Sequence, residues 1–311
     1  LYTGGMRILL FGASGRSGQV LAEAARAAGH AVLAPSHEQC DLRALQVLSD
    51  AVLRCGADAV VNAAAVSGLE DCLADPLTAH AVNAMAPAAM ALACRHTGAR
   101  FVHLSTDYVL DGRREGLKDE GAKCRPLSVY AESKREGELE VLEALPEALV
   151  LRVSWICGNP RRPSFVESML RRALAGQELA AIADKFSLPT DARSIAGAVL
   201  ALLAEPEGER SCGVFHLCSG GSPLSWYGCA RVALRRAVEL GALPELPPVR
   251  EQRLDEASFF REPRPRHTAM DHARLRRRLQ ELGADAEALL PPAELCLERV
   301  AERFLRAEGV L

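Results

Sequence analysis

A glycine-rich turn between a short apolar run and a helical pattern constrains the fold of this chain more than any other feature. Residues 7–11 read as a buried strand, and the segment GASGRSG follows directly at residues 12–18. Apolar residues then recur at helical spacing over residues 20–28, and Gly29 ends the helix. Glycines permit a tight turn there and leave backbone N–H groups free to approach a pyrophosphate. The segment therefore predicts a strand–turn–helix unit that binds a dinucleotide.

The same alternation of strands and helices continues through the first half of the chain. Strands are predicted at residues 31–34, 59–62, 101–104 and 149–153, with helices at 43–55, 80–96 and 130–142. Apolar strands separated by helices form a parallel sheet that is covered on both faces. We therefore predict an α/β fold, a Rossmann-type doubly wound parallel sheet with a smaller, partly helical C-terminal substrate domain. Residues 6–153 are assigned to dinucleotide binding and 154–311 mainly to the substrate domain, with some segments returning to the first.

Composition excludes several classes of protein. The 311 residues are 49% hydrophobic and 5% aromatic and carry a net charge of −3, so neither disorder nor a nucleic-acid partner is expected. No run approaches the ~20 apolar residues of a membrane span, and no secretory signal is visible. The ten cysteines form no C-x-x-C pair and the eight histidines no H-E-x-x-H pattern, which predicts reduced thiols, a cytoplasmic protein and no metal site. Met6 is expected to be the natural start, with residues 1–5 a remnant.

The end of the second strand bears on the choice of dinucleotide. NAD sites usually place an acidic residue there to bind the ribose hydroxyls, whereas this chain has Ala-Pro-Ser-His at residues 34–37. An acidic side chain would repel a 2′-phosphate, so its absence favours NADPH, with NADH possible. Arg16, Ser36 and His37 are candidate ligands of the 2′-phosphate. Asp41 and Leu42 are expected beside the adenine, or Asp41 caps the following helix.

Tyr130 and Lys134 are four residues apart on a predicted helix and so share one face. An ammonium within ~4–5 Å favours the phenolate by up to ~4 kcal/mol at an effective dielectric of ~20. A shift of the tyrosine pKa from ~10 toward 7 needs about that energy, so the pair fits general acid catalysis. Thr106 follows the fourth strand, where a hydroxyl faces the ligand crevice and can donate to a carbonyl oxygen.

These segments together resemble the extended short-chain dehydrogenase/reductases. Further segments are similar to the dTDP-4-dehydrorhamnose reductase family; they are PLSVYAESK at 126–134, LRVSW at 151–155, FVESML at 165–170, DKFSLPT at 184–190 and RPRHTAMD at 264–271. The resemblance covers nearly all of residues 6–305. It implies a Rossmann domain, a substrate domain, and reduction of a 4-keto sugar nucleotide with NADPH or NADH.

The resemblance also implies roles for residues. Tyr130 would protonate the alkoxide, Lys134 would hold the nicotinamide ribose, and Thr106 would polarise the keto oxygen. The expected cofactor site comprises Gly12, Ser14, Gly15, Arg16, Ser17, Gly18, Ser36, His37, Asp41, Leu42, Asn62, Ala63, Ala64, Ala65, Asn83, Ser105, Tyr130 and Lys134. The expected substrate site comprises Val66, Ser67, Thr106, Tyr108, Trp155, Pro189, Thr190 and Arg264. The expected partner is a small molecule, a nucleotide sugar, and a homodimer is possible.

Alternatives remain open at this point. The chain departs from the family pattern at Val66 to Gly68 and at Cys157, both expected beside the substrate. These departures leave room for a reductase of a non-sugar ketone. A dehydratase would carry a glutamate as its base at the position of Tyr108. This chain therefore lacks the base that a dehydratase needs. A non-catalytic regulatory subunit, such as the family's partner of methionine adenosyltransferase, is disfavoured by intact Thr106, Tyr130 and Lys134.

Overall fold

The fold is built around a parallel six-stranded sheet. The structure, a computed structural model, describes residues 5–311, so the predicted leading remnant lies outside the described residues except for Gly5. The strands are β1 (Arg7–Phe11), β2 (Ala31–Leu33), β3 (Ala59–Asn62), β4 (Arg100–Thr106), β5 (Leu149–Val153), β6 (Ile156–Cys157), β7 (Leu179–Ile182), β8 (Phe186–Ser187), β9 (Thr190–Asp191), β10 (Gly213–Leu217), β11 (Leu224–Ser225) and β12 (Val249–Gln252).

Helices cover both faces of this sheet and surround a second core. They are α1 (Arg16–Ala27), α2 (Leu45–Arg54), α3 (Leu69–Ala74), α4 (Pro76–His80), α5 (Ala86–Thr97), α6 (Val129–Ala144), α7 (Phe165–Leu174), α8 (Ala192–Leu203), α9 (Trp226–Glu239), α10 (Ala273–Glu281), α11 (Ala286–Leu289) and α12 (Ala293–Ala307). A π-helical turn, Ala81–Met85, joins α4 to α5, and 3-10 turns lie at Asp107–Val109 and Leu254–Glu256.

The strand order creates a crevice at one edge of the sheet. The order is β10-β5-β4-β3-β1-β2, and all neighbouring strands are parallel. From β1 the chain moves outward to β2 and then crosses back to β3, so the direction of winding reverses between β1 and β3. Loops that leave these two strands diverge, and ligands of doubly wound sheets bind in the resulting gap. The predicted fold class is confirmed.

Alternating side chains of β1 supply two hydrophobic cores. Ile8 and Leu10 pack on one side of the sheet with α1 and α8, while Leu9 and Phe11 pack on the other side with α2 and α5. All four side chains are at most 3% exposed, and each such burial contributes roughly 1.5–3 kcal/mol. Burial on both faces explains why the strand carries no polar alternation.

The C-terminal half divides its elements between the sheet and a second core. Helices α7, α9 and α12 pack around that core, whose centre includes Leu170, Leu234 and Phe304. Between these helices the chain returns to the sheet, where α8 joins the core beside α1 and β10 pairs with β5 at the sheet's edge. The division between a dinucleotide part and a substrate part stays a prediction.

One helical segment corrects an expectation about membranes. Pro76–Thr97 is continuous because the π-helical turn joins α4 to α5, and its 22 residues have a mean hydropathy of 1.3 in the most apolar window. By length and composition this helix could cross a membrane, contrary to the expectation that no segment is long enough. Half of the window is buried, and Met90 and Ala91 belong to the core between sheet and helices. Its apolar character is therefore explained by packing.

Candidate active site

A cleft of about 670 Å³ opens at the carboxyl ends of β1, β2 and β3. A volume of this size is typical of small-molecule sites. The predicted ligand-binding residues that line it are Gly12, Ser14, Ser36, His37, Asp41, Leu42, Ala64, Ala65 and Val66. The lining residues that sequence reasoning missed include Cys40, Arg43, Thr78 and Val82. The structure therefore brings together the glycine-rich turn and the loops after β2 and β3, as a dinucleotide site requires.

The glycine-rich turn itself fits a pyrophosphate. Gly12 has a φ of +81°, and a Cβ atom there would lie 2.5 Å from the backbone nitrogen of Ala64. A Cβ atom at Gly18 would collide with the carbonyl oxygen of Gly12. Helix α1 begins at Arg16, and its N-cap residue, Gly15, places no side chain on the first amide groups. Those amides remain available to an anion at the positive end of the helix.

Arg43 is a cationic residue that lines the cleft, although the sequence analysis placed it in a helix. Helix α2 begins two residues later than predicted, which leaves Arg43 on the loop. Its guanidinium donates to both carboxylate oxygens of Asp41, and these hydrogen bonds lower the pKa of Asp41 to about 2. Arg16, the predicted 2′-phosphate ligand, instead donates to the carbonyl oxygens of Arg162 and Pro163 at 2.8 and 3.0 Å.

Tyr130 lies in the first turn of α6, next to Thr106. Ser128 caps this helix by accepting a hydrogen bond from the N–H of Ala131 at 3.2 Å. The Thr106 hydroxyl, at the carboxyl end of β4, lies close enough to the Tyr130 phenol to favour its ionised form, and it donates to Oδ1 of Asp107 at 3.3 Å. It also accepts from the N–H of Tyr108 at 3.2 Å, which fixes its direction. Two oxygen atoms that can both donate to one carbonyl oxygen are thus adjacent.

Lys134 does not lower the pKa of Tyr130, contrary to the sequence-based expectation. Burial raises the pKa of Tyr130 to about 12, and the nearby Thr106 hydroxyl offsets this in part. The Nζ atom of Lys134 donates to the carbonyl oxygen of Leu104 at 2.7 Å and lies 3.1 Å from Nε2 of His103. Tyr130 therefore stays protonated near neutral pH, which is the state that a general acid needs.

A buried ion cluster holds α6 against the sheet. The carboxylate of Glu138 accepts two hydrogen bonds from Arg152 of β5, both at 2.8 Å. Ser105 of β4 donates to it at 2.6 Å and Arg135 at 2.7 Å. Glu138 lies one turn after Lys134, so this cluster fixes the helix that carries both Tyr130 and Lys134.

Several predicted ligand-binding side chains are part of the framework. Asn83 accepts from the N–H of Val66 at 2.9 Å and donates to Ser133, and Thr190 donates to the carbonyl oxygens of Ser154 and Leu217. The predicted residues that are buried are Ser17, Gly18, Asn62, Asn83, Ser105, Thr106, Lys134, Pro189 and Thr190. Ala63 is half-buried beside the cleft, and Ser67 is exposed on the loop after β3. The hydrogen-bonded groups hold the loops that shape the cleft.

Trp155 belongs to an aromatic cluster that the sequence did not reveal. Its ring lies 6.2 Å from that of Phe165 and 5.3 Å from that of Trp226, and Phe260 stands edge-on to Trp226 at 6.0 Å. Trp155 has a φ of +45°, and it is the one non-glycine residue in the left-handed region among residues 5–311. Strained backbone of this kind concentrates at functional sites. The chain contains two tryptophans. This rarity is the sequence signal that could have drawn attention to Trp226.

Arg264 is already paired with a carboxylate. Its guanidinium donates to both oxygens of Glu70, at 3.0 and 3.1 Å, and lies 3.5 Å from the centroid of the Phe260 ring. Its side chain is 7% exposed. Burial raises the pKa of Glu70, but the hydrogen bonds from Arg264 outweigh it, so the net shift is downward. A substrate anion that binds Arg264 would have to displace Glu70.

Tyr108 connects these groups to Tyr130. The two tyrosine rings meet edge-on, with centroids 6.0 Å apart, and Nζ of Lys185 lies 4.7 Å from the Tyr108 centroid. Lys185 is buried, which lowers its pKa to about 8.

Cys157, one of the departures from the family pattern, lies instead in the second core. The departure there does not face the crevice as the sequence analysis expected.

The fold and the site define a class of protein. A doubly wound sheet with a glycine-rich phosphate turn, and a helix that presents tyrosine and lysine beside it, is the arrangement of an NAD(P)H-dependent oxidoreductase. Residues 6–289 match the family described as RmlD substrate binding domain. The chain belongs to this family, and the resemblance found in the sequence is confirmed.

Individual relatives give the same result. A dTDP-4-dehydrorhamnose reductase of Burkholderia thailandensis is 37% identical over 77% of this chain and 81% of its own length. A probable dTDP-4,6-dihydroxy-2-methyloxan-3-one 4-ketoreductase of Streptomyces antibioticus is 33% identical over 87% and 88%. The crystal structure of a Bacillus anthracis dTDP-4-dehydrorhamnose reductase in complex with NADP shares the fold, with a TM-score of 0.82, 23% identity, and coverage of 97% and 99%.

Proposed function

We propose that this protein reduces the 4-keto group of a dTDP-linked deoxysugar with NADPH. The observation that carries the proposal is the placement of Tyr130 and Thr106 at the carboxyl edge of a sheet whose glycine-rich turn fits a pyrophosphate. The names of the relatives support the substrate class. The complex of the Bacillus anthracis structure supports the cofactor.

The site residues divide the work of a ketone reduction. The bound dinucleotide supplies a hydride to the substrate carbonyl carbon. Thr106 and Tyr130 would both donate hydrogen bonds to the carbonyl oxygen, and Tyr130 would transfer its proton as negative charge develops there. The pKa of about 12 keeps that proton on Tyr130 until the oxygen becomes more basic. Hydride and proton together convert the ketone to an alcohol.

The direct test is NADPH oxidation with candidate ketones. We expect absorbance at the reduced nicotinamide band to fall when a dTDP-4-keto-deoxysugar is added, with formation of the corresponding 4-hydroxy sugar. A protein that oxidises NADPH with non-sugar ketones and ignores nucleotide sugars would support the competing reductase. Binding of NADPH and a protein partner without turnover would support a regulatory subunit.

The first prediction concerns the choice of dinucleotide. Wild-type protein should bind NADPH more tightly than NADH, because Ser36, His37 and Arg43 line the cleft beyond the end of β2, where a 2′-phosphate would lie. Arg43→Ala should weaken NADPH binding by about tenfold or more and leave NADH nearly unchanged, since a hydrogen bond to a charged group contributes ~1.5–3 kcal/mol. Fluorescence titration of each reduced dinucleotide measures both constants.

Arg54→Ala is the matched control, because this arginine is exposed at the far end of α2. It should leave both dissociation constants unchanged. Equal affinity of the wild-type protein for the two dinucleotides would refute the preference and leave the fold assignment intact.

The second prediction concerns Arg264. Arg264→Ala should raise KM for a dTDP sugar by about tenfold or more, because a guanidinium can bind the pyrophosphate bidentately. Glu70→Gln removes the competing carboxylate but keeps the arginine, and so should not raise KM. Initial-rate kinetics at saturating NADPH separates the two variants. Equal increases in both would show that the pair serves the structure of the loop and not the substrate.

Two further features belong to this proposal. We infer a cytoplasmic location, which agrees with ten cysteines that are all free thiols, most of them buried. A homodimer is also proposed. Leu77, Met85 and Leu92 are exposed along the helix Pro76–Thr97, and size-exclusion chromatography with light scattering would determine the oligomeric state.

A further inference from the structure

Three buried side chains from three elements form a chain of contacts that ends at Lys134. Nδ2 of Asn62 on β3 lies 3.1 Å from Nδ1 of His103 on β4, its partner in the sheet register. Nε2 of the same imidazole lies 3.1 Å from Nζ of Lys134 on α6. Asn62 and His103 are 0% exposed and Lys134 is 2% exposed. Because these three side chains are buried, a donor or acceptor among them that lacks a partner would cost free energy.

The orientation of the Asn62 amide determines the tautomer of His103. The backbone N–H of Ala64 can only donate, and it does so to Oδ1 of Asn62 at 3.0 Å. The other amide atom of Asn62, Nδ2, must then donate to Nδ1 of His103. Because Nδ1 accepts, a neutral imidazole carries its hydrogen on Nε2. That N–H is aimed at the nitrogen of Lys134.

This arrangement distinguishes the two protonation states of the lysine. An ammonium group has donors but no acceptor, so it would face the imidazole N–H with hydrogen against hydrogen. A neutral amine has a lone pair that accepts from Nε2–H, and it can still donate to the carbonyl oxygen of Leu104 at 2.7 Å. The hydrogen-bonding pattern is complete only with the neutral amine.

We propose that Asn62 and His103 are positioning residues that stabilise the neutral amine form of Lys134 relative to the ammonium in the unliganded protein. The inference rests on the proposed function in one respect, that Lys134 is the lysine of the active site. Hydroxyl oxygens of a bound ribose would compete with His103 for the lysine and would favour the ammonium. The ammonium form of Lys134 would then be favoured when the dinucleotide is present.

Burial and nearby charged groups shift the pKa values of Lys134 and His103 in definite directions. Burial lowers the pKa of Lys134 to about 8, against the opposing charge of Glu138 one turn along α6. Glu138 is itself bound by Arg152 and Arg135, which limits its effect. Burial holds the pKa of His103 well below its ordinary value, so the imidazole is neutral. The π-helical turn packed on α6 contributes the neutral side chain of Asn83, which donates to Ser133.

The tautomer of His103 can be measured in the wild-type protein. Long-range ¹H–¹⁵N correlation spectra of the unliganded protein, assigned with His103→Gln, should show hydrogen on Nε2 and a bare Nδ1. Hydrogen on Nδ1 would overturn the proposal, because Nε2 could then accept from an ammonium. This measurement needs neither substrate nor turnover, so its failure is distinguishable from failure of the proposed reaction.

The protonation state of Lys134 has its own readout. The chain contains four lysines, so ¹³C labelling at the lysine ε carbon gives four signals, which Lys134→Met and Lys185→Met assign. The wild-type Lys134 signal should titrate at or below pH 8. His103→Gln supplies an amide oxygen that can accept from an ammonium, and should raise that midpoint by a pH unit or more. His103→Leu is the matched variant without an acceptor and should not raise it. A wild-type midpoint near 10, or the same midpoint in both variants, would overturn the proposal.

Discussion

Tyr130→Phe should lower kcat by about 10²–10⁴-fold while the affinity for NADPH stays close to that of the wild-type protein. The substitution removes one oxygen and keeps the ring that packs edge-on against Tyr108. General acid catalysis contributes typically 10²–10⁴-fold, and the removed group is used in the transition state rather than in binding. Stopped-flow measurement of nicotinamide oxidation, with a separate NADPH titration, gives both quantities.

Tyr227→Phe is the control for this experiment. That tyrosine lies on α9, and its hydroxyl contacts Arg231 at 3.0 Å, outside the predicted site. It should retain nearly full turnover. If Tyr130→Phe does so as well on an established substrate, the proton comes from another group and the assignment of Tyr130 fails.

The phosphate turn was predictable from the sequence because its requirements are local. Glycines at positions 12, 15 and 18 follow a strand and open a helix, and each requirement is readable within seven residues. Strand positions followed from apolar runs for the same reason, since burial on both faces removes polar residues from the run. Thr106 and Tyr130 could be placed together because both lie at ends of elements that meet at the sheet's carboxyl edge.

The partners of the arginine and lysine side chains could not be predicted from the sequence. Arg264 and Glu70 are 194 residues apart in the chain, and nothing in the sequence near either one indicates the other. Arg43 lies on a loop because α2 begins two residues later than predicted, an ordinary error for helix ends. Arg16 is engaged by the carbonyl oxygens of Arg162 and Pro163, 146 and 147 residues along the chain. The direction of Lys134 depends on His103 across the sheet, so the local spacing from Tyr130 could not reveal it.

Glu138→Gln should destabilise the fold by about 3–5 kcal/mol. The glutamine keeps the shape of the side chain but leaves Arg152, 2% exposed at its side chain, without a compensating charge. Breaking a buried pair by removing one partner costs about that much, because the remaining charge stays desolvated. Urea unfolding followed by fluorescence measures the free energy of unfolding. Glu140→Gln, at an exposed position on the same helix, should change it by at most about 0.5 kcal/mol.

The pH dependence of stability tests the same ion cluster by its sign. Burial opposes ionisation of Glu138, but hydrogen bonds from Arg152 outweigh it and lower the pKa of Glu138 below its unfolded value. A carboxyl with a lowered folded pKa stabilises the protein above its unfolded pKa, and this contribution is lost as pH falls through the folded pKa. The free energy of unfolding of the wild-type protein should therefore approach that of Glu138→Gln as the pH is lowered through the folded pKa of Glu138. A difference in stability that stays constant down to acid pH would show that packing around residue 138, and not its charge, holds the catalytic helix in place.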